Sequence, residues 1–161
     1  FIGMRILELQ ALTLADLDLE NGIIHINKTY AIISGQEIIT TPKTTKSVRE
    51  IYIPAFLCKL LKKHIKRYYK PQPDTRVFQM AKETYRNRLV NHSEKAGVKR
   101  IRLHDIRHSH ASLLIDLNFS VLMISERLGH EDPSITLKTY AHLFPTKQNE
   151  LVERLDEIFN K

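Results

Sequence analysis

The sequence contains no tryptophan and a single cysteine, Cys58. One thiol cannot form an internal disulfide, which excludes a disulfide scaffold and points to a reducing compartment, the cytoplasm. It also excludes zinc ribbons and fingers, which need several thiolates. Only five glycines are present, and neither a GxxxxGK(S/T) loop nor a GxGxxG turn occurs, so no nucleotide-cradling loop is expected. The longest apolar runs fall far short of the ~20 residues of a membrane span. The N-terminus lacks the basic segment and apolar stretch of a secretory signal. It also lacks an initiator methionine: the chain opens Phe1-Ile2-Gly3-Met4-Arg5 and runs directly into apolar periodicity. This opening suggests a piece of a longer protein, cut inside a helix.

What is present is an ordinary globular composition. The 161 residues are 42% hydrophobic and 27% charged, enough for one domain with its own core. Lysine plus arginine number 25 against 18 acidic residues, a net charge of +7. Such an excess favours a polyanionic partner, nucleic acid before an anionic membrane.

Hydrophobic spacing predicts a helix over 1–12, with Ile2, Ile6, Leu9 and Leu12 on one face. Asn21-Gly22 and Ser34-Gly35 are turn signals. Strands are expected over 23–30, 37–41 and 48–53, joined into a small antiparallel sheet, with a polar, basic loop from Pro42 to Ser47. Helices are expected over 55–69, 83–95, 104–117, 121–128, 133–144 and 147–159. In the third of these, Ile106, His110, Leu113, Leu114 and Leu117 share a face. The last carries an apolar stripe of Leu151, Leu155, Ile158 and Phe159. The fold class is α+β, mainly α, with a small three-stranded antiparallel sheet near its front.

Several side chains suit phosphate. His104 and Arg107, three apart on a helix, project from the same side, and an arginine fork binds phosphate bidentately. Arg5 lies among apolar residues three before Glu8, either as a local ion pair or as a half-buried cation awaiting an anion. His130 follows Gly129 at a helix end. Tyr140 sits at core spacing with Leu137, Ala141 and Phe144, so packing alone would account for it. His104, His108 and His110 cluster, but no glutamate or cysteine lies at ligand spacing, so no metal site is expected. Lys43 and Lys46 stand in the basic loop between two strands, as solvated residues or as a lysine reaching into a DNA groove or active site.

In chain order these residues form a pattern. Gly3-Met4-Arg5-Ile6-Leu7-Glu8-Leu9, Asp16-Leu17-Asp18, Pro42-Lys43-Thr44, Leu103-His104-Asp105-Ile106-Arg107-His108, Leu128-Gly129-His130 and Thr139-Tyr140-Ala141-His142 resemble the catalytic domain of the tyrosine recombinase (phage integrase) family. The resemblance covers nearly the whole chain. It implies that Arg5 and Arg107 clamp a scissile phosphate and that His104 contacts it and assists proton transfer at the nucleophile. It further implies that His130 donates to the phosphate, Tyr140 is the nucleophile, Lys43 protonates the leaving 5′-oxygen, and Glu8 supports Arg5. Lys46 is the alternative to Lys43. Lys46, Lys99, Arg100 and Arg102 are candidate DNA contacts.

The implied activity is site-specific DNA recombination through a 3′-phosphotyrosyl intermediate, without metal or ATP, for integration and excision of a phage or mobile element. The implied partners are double-stranded DNA and further copies of the chain, a tetramer on DNA, with the last helix docking in cis or in trans. Two alternatives stand beside this: a type IB topoisomerase-like activity, and a non-catalytic DNA-binding accessory protein of the same fold. The chain is expected to be one catalytic domain over 1–161, truncated at its start and without the family's core-binding domain. Such a fragment is expected to bind DNA poorly and to cleave it weakly or not at all.

Overall fold

A computed structural model describes residues 2–42, 44–144 and 148–159. Helix α1 (Ile6–Ala11) is followed by a short 3₁₀ turn and strands β1 (Leu17–Asp18), β2 (Ile23–Ile26), β3 (Thr29–Ile33), β4 (Gln36–Thr40) and β5 (Arg49–Tyr52). Helices α2 (Ala55–Ile65), α3 (Lys82–Lys95), α4 (Leu103–Asp116), α5 (Val121–Leu128), α6 (Pro133–Tyr140) and α7 (Gln148–Phe159) complete the chain. The architecture is mainly helical with a three-stranded antiparallel sheet, as expected. Among the described residues, no helix is long and apolar enough to cross a membrane.

The sheet runs β1-β2-β5, while β3 and β4 form a separate hairpin, so the strand expected over 37–41 lies outside the sheet and the short β1 takes its place by pairing with β2. The single strand expected over 23–30 is therefore broken after Ile26, and a buried carboxylate explains the break. Asp16 accepts from Asn27 Nδ2 at 3.1 Å and from Lys28 Nζ at 2.7 and 2.8 Å, drawing both side chains away from the ladder. The β3–β4 turn at Ser34-Gly35 has φ of 51° and 79°, the left-handed pair that a two-residue hairpin requires.

Helix α1 starts at Ile6 rather than at the chain's beginning. Gly3 takes φ of 72°, which breaks any helix through it. The backbone N–H of Arg5 then donates to Glu8 Oε2 at 2.8 Å and caps the first turn. Helix α2 ends at Ile65 because the chain tightens into i→i−3 turns at Arg67 and Tyr68. There Tyr68 donates its hydroxyl to the Val77 carbonyl at 2.7 Å. Helix α6 ends at Tyr140, and a 3₁₀ turn, Ala141–Leu143, takes over.

Two apolar cores result. The first packs Leu12, Ile24, Ile26, Ile51, Ile53, Leu61 and Val77 between sheet and α2. The second packs Ala111, Ile115, Ile124, Leu128 and Tyr140 among α4, α5 and α6. The face of α4 turned inward is Arg107, His110, Ala111 and Ile115, whereas the expected apolar residues Ile106, Leu113 and Leu117 are exposed. The small Ala111 allows close approach of α5, and the bulkier leucines are left outside. Leu137 of α6 is exposed for the same reason of helix rotation, while Tyr140 is buried.

Candidate active site

The seam between the two cores is polar and is organised by the C-terminal end of α5. A helix leaves its last carbonyls without intrahelical partners and carries partial negative charge there. Gly129 ends α5 in the left-handed conformation, φ 67°, and its own and the two preceding carbonyls are each taken by a different arginine. Arg49 Nε donates to Arg127 O at 2.9 Å, Arg107 Nη2 to Leu128 O at 2.7 Å, and Arg5 Nη2 to Gly129 O at 3.1 Å. Residues from β5, α4 and the segment before α1 thereby meet at one point.

Glu8 locks this arrangement from the other side. Its side chain is 4% exposed. It accepts from Arg5 Nη1 at 2.8 Å and from Arg49 Nη2 and Nη1 at 2.9 and 3.2 Å. Burial alone would raise its pKa, but the hydrogen bonds and charges of Arg49 and Arg5 outweigh burial and hold it below the ordinary value.

Arg107 is buried and also donates Nη1 to Gly3 O at 2.7 Å. Burial, then the Arg5 charge, pushes its pKa down to about 10, with Glu8 acting the other way, so it remains a cation at neutral pH. A guanidinium has five N–H donors, and these contacts occupy two of them. Gly3 has no room for a side chain: a Cβ there would lie 2.5 Å from His110 Cδ2 and 2.9 Å from Leu128 Cδ2.

His130 directly follows this end of α5. Its Nδ1 pairs with Thr136 Oγ1 at 2.7 Å. Burial, then the charges of Arg107, Arg5 and Arg49, pushes its pKa down to about 4, so the ring is neutral at pH 7. Tyr140 is buried with its hydroxyl 2.5 Å from His108 Nδ1. Burial raises the Tyr140 pKa and the Arg107 charge opposes that rise. His104 is exposed in the first turn of α4, its ring edge-on to that of His108 with centroids 4.6 Å apart. Its pKa is lowered by burial and by the neighbouring His108 and Arg107.

The structure thus brings Arg5, Glu8, Arg107, His130 and Tyr140 into one electrostatically coupled group, with His104 at its edge through His108. Lys43 lies outside the described residues. Lys46 is exposed in a 3₁₀ turn, Thr45–Ser47, and its charge reaches Asp132 at the start of α6. Lys99 and Arg100 are exposed in the connection before α4. Arg102 is exposed too, but it is tied to Asp105, with Nη2 to Oδ1 at 3.0 Å.

Two residues went unnoticed as site components in the sequence. Arg49 had a signal: it shares a strand face with the core residue Ile51, and a charge at an inward position of an alternating strand demands a partner. His108 lies one helical turn beyond His104, so the two rings share a face.

A family model described as the phage integrase family matches residues 2–147. The chain belongs to the phage integrase family. The ICEBs1 integrase of Bacillus subtilis is 33% identical over 97% of this chain and 46% of its own length. The integrase of Staphylococcus phage L54a is likewise 33% identical, over 97% of this chain and 49% of its own length. A tyrosine recombinase XerC-like protein of Caldanaerobacter subterraneus is 29% identical over 98% of this chain and 47% of its own length. The chain therefore spans about half the length of these curated relatives. Among solved structures, the Tn1549 transposon integrase in complex with circular intermediate DNA superposes with a TM-score of 0.80 at 23% identity, covering 96% of this chain and 56% of that one. The catalytic domain of bacteriophage HP1 integrase gives 0.62 at 22% identity, covering 99% and 78%. These likenesses establish the integrase fold.

Proposed function

We propose that this integrase-family chain is the catalytic domain of a site-specific DNA recombinase, belonging to a longer protein whose remaining half completes the grip on DNA. It cuts one strand by attack of Tyr140 on phosphorus, holds the strand as a 3′-phosphotyrosyl ester, and rejoins it to a new 5′-hydroxyl. The observation that carries this is the convergence of Arg5 and Arg107 on the terminal carbonyls of one helix, with His130 next in sequence and Tyr140 within the field of Arg107.

Phosphodiesters resist nucleophiles because the group is already anionic and gathers more charge at the transition state. Preorganised guanidinium and imidazole donors stabilise that charge without a metal ion. Fixing the arginines on helix carbonyls and on Glu8 removes the reorganisation that free side chains would need. The neutral His130 can donate Nε2–H toward a phosphate oxygen when its Nδ1 accepts from Thr136. Because the ester to Tyr140 conserves the bond, rejoining needs no ATP. Lys43 is the proposed acid for the leaving 5′-oxygen.

The relatives named as phage and mobile-element integrases support integration and excision of such an element in the bacterial cytoplasm as the biological task. Double-stranded DNA is the proposed substrate. The exposed Val152, Leu155, Ile158 and Phe159 of α7 offer an apolar stripe to a neighbouring copy in a tetramer.

The test is covalent trapping. The longer protein that carries this chain is incubated with a pool of randomised duplexes carrying a nick, so that the short 5′-ended fragment diffuses away after cleavage and blocks reversal. Adducts stable to detergent are expected, to map to Tyr140 by peptide sequencing, to persist in chelator, and to vanish in Tyr140→Phe. Adducts on another residue, or a requirement for divalent metal, would overturn the proposal. DNA binding without any adduct would support the accessory-protein alternative.

A further inference from the structure

The shortest polar contact at the nucleophile is made by a residue that none of the roles above uses. His108 Nδ1 lies 2.5 Å from Tyr140 Oη, in direct hydrogen-bond contact. We infer that His108 is a catalytic residue, the general base that takes the Tyr140 proton during strand cleavage and returns it during rejoining. This inference rests on Tyr140 being the nucleophile.

The geometry separates His108 from His104. Both lie on one face of α4, a turn apart. His104 is exposed and its ring meets that of His108 at 85°, so His108, rather than the His104 that the resemblance implies, is the histidine in contact with the nucleophile's hydroxyl. His108 itself faces the hydroxyl. The Tyr140 ring is packed in the cluster of Ala111, Ile115, Ile124 and Leu128, which directs its hydroxyl to His108. A phenol has an unperturbed pKa of about 10 and needs a base or a strong positive field to attack at neutral pH. Arg107 supplies field, but burial opposes ionisation, so a base in direct contact is required.

The step balances as follows. The Tyr140 O–H bond breaks and its proton passes to His108 Nδ1. The phenoxide oxygen bonds to phosphorus, the bond from phosphorus to the 5′-oxygen breaks, and that oxygen takes a proton from a separate acid, for which Lys43 is the candidate. In rejoining, the deprotonated acid takes the proton of the 5′-hydroxyl, that oxygen bonds to phosphorus, the bond from phosphorus to Tyr140 Oη breaks, and the imidazolium returns its proton to Oη. The groups in electrostatic contact with His108 are His104 and Asp105 on its own helix, His130 from the α5–α6 connection, and Tyr140 from the end of α6.

The decisive variant is His108→Asn, whose Oδ1 replaces Nδ1 as a hydrogen-bond acceptor but cannot hold the proton. Adduct formation on the trapped duplex is expected to fall by roughly 10²- to 10⁴-fold, the usual weight of a general base. The pH dependence of adduct formation should differ between His108→Asn and the wild-type protein. A 5′-bridging sulfur in the DNA, a leaving group that needs no acid, should rescue Lys43→Ala but not His108→Asn. A His108→Asn protein with wild-type rate and pH profile would reduce His108 to a packing role and overturn the inference, while loss of adduct in Tyr140→Phe would still support the recombinase reading. A second measurement needs no DNA. Nitrogen-15 NMR of labelled histidines should show His108 Nδ1 without a hydrogen at pH 8 and shifted by Tyr140→Phe. A hydrogen on Nδ1 at that pH would overturn the assignment whatever the DNA result.

Discussion

Replacing Arg49 with methionine tests how the site is held together. The side chain is 7% exposed. It makes two bonds to Glu8, one to Arg127 O and one to Ser47 O at 3.0 Å. Methionine keeps the stem's volume and removes every donor. Glu8 would then keep a single cationic partner, Arg5, whose side chain is 39% exposed, and burial would act on its carboxylate with less opposition. Removing one member of a buried ion pair typically costs about 3–5 kcal/mol. Total stabilities run at about 5–15 kcal/mol, so the loss is large. For a domain of this size, about 2–4 °C of Tm accompanies each kcal/mol, which gives a fall of roughly 6–20 °C by calorimetry. The effect has a sign in pH. Glu8 sits below its ordinary 4.5 in the folded chain, so its contribution is full above 4.5 and is lost as pH falls through the folded value. In Arg49→Met the share of that contribution supplied by Arg49 is missing from the start, so the gap between the two proteins narrows on acidification. Adding Glu8→Leu should recover part of the loss, with a coupling of about 0.5–3 kcal/mol. A single-variant loss under about 1 kcal/mol, or strictly additive losses in the double variant, would refute the view that a buried Glu8–Arg49 pair anchors the site.

Three further outcomes are expected. Gly3→Ala should cost about 1–3 kcal/mol, because alanine is strained at φ 72° and its Cβ meets His110; thermal melts check this, and trapped adduct should fall as the Arg107 support shifts. Gly129→Ala should behave similarly, since a Cβ would lie 2.7 Å from Arg49 Nη1. Both His130 and His110 have folded pKa values pushed down to about 4 from 6.5, by burial first and then by nearby arginines, so the unfolded chain binds more protons between these values. Stability should therefore decline as pH falls from 6.5 toward 4 and level off below; histidine proton NMR across the range reads each site directly.

The helices with clear punctuation could be read from sequence alone. Gly129 after Leu128 marked the end of α5 and Pro133 the start of α6, and the resemblance carried by Arg5, His104, Arg107, His130 and Tyr140 implied that they share one site. The break after Ile26 could not be read, because it depends on Asp16 reaching across to Asn27 and Lys28. The inward face of α4 was misread because apolar count favoured Leu113 and Leu117, whereas close packing on α5 selected Ala111 and the arginine-bearing side. The role of the α5 carbonyls as an anchor for three arginines is a property of tertiary contact, and no local pattern encodes it.

The convergence of the site on one phosphate is tested most directly by a crystal structure of the chain grown with vanadate. One vanadate is expected within hydrogen-bond distance of Arg5, Arg107 and His130, with Tyr140 Oη as its axial oxygen and His108 Nδ1 still bonded to that oxygen. A well-ordered structure in which vanadate binds elsewhere, and in which no single anion touches both Arg5 and Arg107, would contradict the assignment of this seam as the phosphoryl-transfer centre.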